Sequence, residues 1–309
     1  MTFAFVFPGQ GSQSVGMMQS FADSSAVRAV FMEASNTLGQ DLWKLAAEGP
    51  AEELNSTVNT QPLMLTAGYA VYRAWRDAGG TEPAMMAGHS LGEYTALVAA
   101  DALLFRDALP LVRFRAQVMQ EAVPMGEGAM AAILGLEDDA VRAACGEAAQ
   151  GQRVEPVNFN APSQVVIAGH RAAVERGVTA AKAKGAKRAV MLPVSAPFHS
   201  SLLKPAADRL ASYLDGIQVN APRIPVVNNV DAAVEKEPQR IKQALARQAS
   251  NPVRWVEVVR RMAEDGISHV AECGPGKVLA GLTRRIDSSL QGYAITDPQS
   301  LEQALRTFK

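Results

Sequence analysis

Short, uniformly apolar runs alternate along the chain with longer stretches whose apolar positions recur every three or four residues. That alternation predicts an α/β architecture. "TFAFVFPGQG" (2–11) reads as a buried strand ending in a glycine-rich turn, and "PAMMAGHS" (83–90) as a second short strand. "QPLMLTAGYAVYRAWRDAG" (61–79) reads as a long amphipathic helix closed by glycine. "LGEYTALVAADAL" (91–103) has the helix formers to follow the second strand. "FRDALPLVRFRAQVMQEAV" (105–123) supplies another helix, with Pro110 tolerable only in its first turn.

From 128 to 194 the pattern changes to strand, helix, strand, strand, helix, strand, a βαββαβ order that predicts a ferredoxin-like unit. Glycine and proline punctuate both of its ends. The expectation is a small domain, 127–195, inserted into a large one formed by 1–126 and 196–309. Further strands of the large domain are expected near "RIPVVNNV" and "SHVAECGPG".

With 309 residues, 48% of them hydrophobic, the chain can bury a large core. Thirty Lys and Arg balance thirty-one Asp and Glu, so no global basic field suggests nucleic acid. Cys145 and Cys273 lie far apart and lack any metal-ligand or CxxC spacing, which predicts free thiols and no metal site. The apolar "FAFVF" has no basic stretch before it and no run of 18 uncharged apolar residues exists, so a signal peptide and a membrane span are not expected. The class is a cytoplasmic globular protein.

Three glycine-rich segments invite chemistry. "GQGSQS" (9–14) only half-matches a dinucleotide fingerprint, because Ser14 stands where the third glycine belongs. "ECGPGKVLAG" resembles a phosphate loop but has Ala271 and Val278 at two required positions. Both read as turns, and no nucleotide or redox cofactor is expected. "GHSLG" (88–92) fits a sharp strand-to-helix turn that exposes Ser90 at a helix N-terminus, where N–H groups favour developing negative charge.

A serine hydroxyl needs a base. His89 sits inside the turn and suits packing; His170 opens a helix and His269 precedes a strand. His199, in a loop of "SAPFHSSLLKPA" before a helix, is the candidate by elimination and position. A hydrolase would also want an acid between serine and histidine in chain order. Asp101, Asp107 and Glu175 are present there, but none occupies a distinctive loop at a strand end.

"FVFPGQGSQ", "GHSLGEYTAL", "RAQVMQEAVP", "NFNAPSQVVIAG", "APFHSSLLKPA", "NPVRW" and "GPGKVLAGL" resemble, in order, the signature segments of malonyl-CoA:acyl carrier protein transacylases, from residue 3 to about 285. The resemblance implies an α/β-hydrolase-like large domain with an inserted ferredoxin-like one. It also implies that Ser90 takes malonyl from coenzyme A and that His199 moves the proton. It implies further that the backbone carbonyl of Gln248 orients His199, and that the N–H groups of Gln10 and Leu91 form an oxyanion hole. Arg115 would bind the malonyl carboxylate, a role suited to a planar guanidinium. Ala116 departs from a glycine common in the family, without touching these roles. Coenzyme A thioester and carrier protein are the implied partners, with fatty acid biosynthesis the pathway. Two basic clusters, Lys182/Lys184/Lys187/Arg188 and Arg284/Arg285, are candidates to receive the carrier or the coenzyme A phosphates, against a reading as ordinary solvated surface. The rival functions are a serine thioesterase or carboxylesterase, which would need an acid on His199 and no Arg115, and a non-catalytic carrier-binding scaffold.

Overall fold

The computed structural model describes residues 2–194 and 196–308. Two sheets organise it. The first is parallel, in the order β7-β2-β1-β8-β9, built from β1 (Phe3–Phe7), β2 (Met85–Gly88), β7 (Val226–Val227), β8 (His269–Cys273) and β9 (Gln291–Ile295). Every residue of β1 is buried, as expected for a central parallel strand covered on both faces. Its alternation divides the core. Phe3, Phe5 and Phe7 point to one side with Tyr72 and Trp75, while Ala4 and Val6 point to the other with Trp255 and Val258.

The second sheet is antiparallel, in the order β4-β5-β3-β6, from β3 (Gly128–Leu134), β4 (Val154–Ala161), β5 (Gln164–His170) and β6 (Arg188–Met191). The helices Asp138–Ala149 and Arg171–Ala183 pack on one face of it, around Ala131, Ile133 and Ile167. Chain order is therefore strand, helix, strand, strand, helix, strand, as the pattern of apolar positions predicts. The expected boundary at residue 195 lies outside the described residues.

Two expectations need correction, and a third holds in shortened form. The helix predicted over 61–79 spans Thr57–Asp77, so Pro62 lies inside it. Most of this helix is buried, including polar Thr60 and Gln61. It is a central helix, with apolar residues buried on more than one face. Pro110 occupies the second turn of helix Phe105–Glu121, beyond the first turn where it was expected. The bond Pro110 cannot donate is the one to the carbonyl of Arg106, an exposed residue whose oxygen water can satisfy. The strand expected in "RIPVVNNV" is reduced to two residues at the sheet edge. No helix among the described residues is long and apolar enough to cross a membrane.

The sheet sets the place of chemistry. The loops leaving the carboxyl ends of β1, β2, β7 and β8 gather along one edge, the usual ligand-binding edge of an open α/β sheet.

Candidate active site

Strand β2 ends at Gly88 and helix Gly92–Ala99 begins four residues later. The turn between them is possible only because three segments of backbone nearly touch. A Cβ on Gly88 would lie 1.9 Å from the Gly92 carbonyl carbon, and one on Gly92 would lie 2.1 Å from the Phe7 oxygen. Ser90 itself is left-handed, with φ 53°, a conformation non-glycine residues rarely hold. Asn229, in the loop after β7, clamps the turn from outside. Its Oδ1 accepts the Ser90 N–H at 2.7 Å and its Nδ2 donates to the Gly88 carbonyl at 2.7 Å.

The geometry brings His199, also left-handed with φ 64°, against this serine. Its Nε2 stands 2.7 Å from Ser90 Oγ and its Nδ1 stands 2.7 Å from the Gln248 backbone oxygen. A carbonyl can only accept, so Nδ1 carries the proton and Nε2 presents a lone pair to the hydroxyl. Gln248 is the last residue of helix Pro238–Gln248, where carbonyls lack helical partners. The helix end thus supplies what a carboxylate supplies elsewhere. The three acids considered as partners do not fill this place, and Asp101 instead pairs with Arg223.

Arg115 projects from helix Phe105–Glu121 and is only 1% exposed. Nη2 donates to Ser90 Oγ at 3.2 Å and to Gln248 Oε1 at 2.9 Å, and Nη1 donates to Gln61 Oε1 at 2.7 Å. Its guanidinium carbon lies 5.4 Å from the Tyr94 ring centroid. Nε is buried without a hydrogen bond among the described residues. Burial lowers the pKa of Arg115, yet a guanidinium keeps its charge in proteins. A cation therefore sits directly beside the serine oxygen, and among the described residues no carboxylate forms an ion pair with it.

Gln10 follows Gly9, whose Cβ would fall 2.5 Å from the His89 oxygen, so the loop after β1 rests on the turn after β2. Among the described residues neither the Gln10 nor the Leu91 N–H is engaged in a hydrogen bond. The Gln10 side chain donates to Thr57 Oγ1 at 3.0 Å. The "GPG" turn supports this loop from the far side, with Gly274 and Gly276 against Pro8 and Ser12.

The remaining histidines lie outside this arrangement. His89 points away from Ser90 Oγ, with Nε2 at 2.8 Å from Asn160 Oδ1 and its ring beside Trp255. His170 accepts the Arg153 N–H at 3.0 Å, and His269 bonds Ser268. In the basic clusters, Lys184 pairs with Glu147 and Arg285 donates to Gln164.

Sequence reasoning missed Gln61, Glu93 and Asn229, together with the side chain of Gln248. Each is a buried polar group. Their signal was available: a lone amide or carboxylate inside an otherwise apolar run ("QPLML", "LGEYTALVAA", "VVNNV") needs a buried partner.

Burial, and secondarily the Arg115 charge, lowers the His199 pKa to about 3. The imidazole thus stays neutral, and able to accept a proton, well into acid. Modification of Ser90 by a sulfonyl fluoride is expected to proceed at a level rate from pH 8 to pH 5. An imidazole titrating at the ordinary value of about 6.5 would be roughly 97% protonated at pH 5 and would slow accordingly. A rate falling with a midpoint between pH 6 and 7 contradicts the assignment. The same depression costs stability in acid, because below about pH 6.5 only the unfolded chain takes up this proton.

Comparison with known proteins identifies the family of the chain. The family model described as "Acyl transferase domain" matches residues 4–294. The malonyl CoA-acyl carrier protein transacylase of Escherichia coli (strain K12) is 58% identical over 304 residues, 98% of either chain. The solved acyl-carrier-protein S-malonyltransferase of Burkholderia pseudomallei 1710b is similar with TM-score 0.98 and 66% identity, over 99% of this chain and 100% of the other. A malonyl-transacylase solved in complex with its type II PKS acyl-carrier protein is similar with TM-score 0.98 and 52% identity, over 99% of this chain and 100% of that one.

Proposed function

The chain belongs to the malonyl CoA-acyl carrier protein transacylase family, and from that premise we propose that it transfers malonyl from malonyl-CoA to the phosphopantetheine thiol of an acyl carrier protein, through malonyl-Ser90. The pathway served is fatty acid biosynthesis. One observation carries the reading: Ser90 Oγ lies 2.7 Å from His199 Nε2 and 3.2 Å from Nη2 of a buried arginine. A nucleophile, its base and a receptor for a second negative group meet at one oxygen.

In the first half-reaction Ser90 Oγ attacks the thioester carbonyl while its proton passes to His199 Nε2. The tetrahedral oxyanion is received by the N–H groups of Gln10 and Leu91, each expected to contribute ~10²–10³ in rate. Collapse breaks the C–S bond, and the leaving thiolate takes the proton from His199. In the second half-reaction the carrier thiol gives its proton to His199 and attacks the ester. Ser90 then leaves with that proton. Every atom balances without a metal or a redox cofactor. The Gln248 carbonyl keeps the imidazole in the required tautomer throughout and stabilises the imidazolium.

Arg115 selects the acyl group. Malonyl places its carboxylate two bonds beyond the reacting carbonyl carbon, within reach of a guanidinium already beside Oγ. The unpaired Nε adds a donor for it. A thioesterase would want a carboxylate on His199 Nδ1, and the carbonyl there favours the transferase.

The division into a large α/β-hydrolase-like domain (1–126 and 196–309) and an inserted ferredoxin-like domain (127–195) is part of this reading. It is supported by the antiparallel order β4-β5-β3-β6 with both helices on one face. The test is intact-protein mass after brief mixing with malonyl-CoA. A malonyl increment that a carrier thiol then discharges is expected. Free malonate without an increment would mark a hydrolase, and no reaction at all a binding scaffold.

A further inference from the structure

One buried acid in the site takes no part in the chemistry above. Glu93 sits in the first turn of helix Gly92–Ala99, 2% exposed, on a helix whose other residues are almost all apolar. A carboxylate so placed must be held by donors. Its Oε2 accepts two, the Asn229 N–H at 2.9 Å and Gln248 Nε2 at 2.8 Å.

The second donor matters because of what else Gln248 does. Nε2 also donates to the Ser90 carbonyl at 2.9 Å, Oε1 accepts from Arg115 at 2.9 Å, and the backbone oxygen accepts from His199. A carboxamide has one donating end and one accepting end. Turned by half a rotation, it would set N–H groups against the guanidinium and an oxygen against Glu93. Both contacts would be repulsive. Glu93 therefore fixes the orientation in which Oε1 faces Arg115.

We propose that Glu93 is a positioning residue for acyl transfer, acting through the Gln248 carboxamide, which it holds with Oε1 toward the Arg115 guanidinium. This rests on the roles given above to Ser90, His199 and Arg115. The device needs a lone pair at Oε2 and not a negative charge. Burial raises the Glu93 carboxyl to about 7 against the hydrogen bonds from Gln248 and Asn229 and the pull of Arg115, and both protonation states keep that lone pair. A glutamine at 93 can accept in the same place; an alanine cannot.

The experiment measures the rate of Ser90 acylation by malonyl-CoA and by acetyl-CoA, with thermal midpoints, for the wild type, Glu93→Gln, Glu93→Ala, Gln248→Ala and the Glu93→Ala/Gln248→Ala double variant. Glu93→Ala is expected to lower malonyl acylation by ~30-fold and to erode the preference over acetyl, as losses of supporting partners commonly do. Glu93→Gln should stay within about threefold of the wild type, and in the Gln248→Ala background the alanine at 93 should cost less than about threefold more. Gln248→Ala, which retains the backbone carbonyl, should lose the same preference. The proposal is overturned if Glu93→Ala only lowers the thermal midpoint and leaves rate and preference intact, or if its loss is undiminished without the Gln248 side chain. It is equally overturned if Glu93→Gln is as impaired as Glu93→Ala. Should Glu93→Ala fail to fold, a Gln248→Ala variant that keeps its malonyl preference overturns it alone. Wild-type acylation separates the two readings. Its absence removes the transacylase function, whereas its presence beside an unaffected Glu93→Ala removes only the role of Glu93.

Discussion

Ser90→Ala is expected to lower malonyl transfer by ~10⁶-fold and to remove the malonyl mass increment altogether. The size follows from what is lost. Without Oγ no covalent bond to the acyl group forms, and the lone pair on His199 Nε2, held at 2.7 Å from that oxygen, has no proton to accept. What survives is orientation of the thioester by Arg115 and the N–H groups, enough for slow direct attack by a thiol or water. Binding should change little, because the methyl group of alanine fits where the hydroxymethyl was. Single-turnover kinetics with carrier protein thiol check this: the loss should lie in the chemical rate, with half-saturation by malonyl-CoA nearly unchanged. A variant that still accumulates an adduct places the nucleophile elsewhere.

Arg115→Ala is expected to cut kcat/KM for malonyl-CoA by ~10³–10⁴ while leaving acetyl-CoA within about tenfold, which erases most of the preference between them. A site built round a buried polar receptor discriminates by roughly that factor. The wild-type arginine penalises acetyl because that group offers no partner to a buried cation. Removing the cation removes the penalty, although Gln61 Oε1 and Gln248 Oε1 lose the donors they bonded. Arg115→Lys should fall between, since an ammonium keeps the charge but not the planar fork. Loss of the positive charge also removes one cause of the low His199 pKa, which should therefore rise in Arg115→Ala. Parallel rates with the two thioesters decide the matter. Equal losses for both would make Arg115 a general support of the site and not its selector.

Much of this was legible in the residues, for identifiable reasons. The two glycines flanking Ser90 are demanded by carbonyl contacts so close that any Cβ would collide, and such a demand writes itself into the sequence. The βαββαβ order could be read because its strands are short and bounded by turns, and most of them are largely apolar. His199 could be reached by elimination among four histidines. What resisted reading depends on the folded arrangement alone. The partner of His199 Nδ1 is a main-chain oxygen, which every residue possesses, so only the family resemblance, not the residues themselves, pointed to it. Gln61, Glu93 and Asn229 join the site from separate segments, each through hydrogen bonds rather than local pattern. Within Thr57–Asp77 the polar residues Thr60 and Gln61 carry no local sign of which side they face. The fold turns them inward to partners.

The use of a helix-terminal carbonyl to orient the imidazole changes how the site can fail. A carboxylate partner can be deleted by one base change in a gene, and side-chain scanning finds it at once. The oxygen at residue 248 survives nearly every replacement there, so the proton relay is insulated from substitution at its own third member. Its vulnerability is transferred to whatever fixes the end of helix Pro238–Gln248 in space. Insertions, deletions or a proline that shifts that terminus by a fraction of a turn would disable the histidine while leaving every named side chain in the gene.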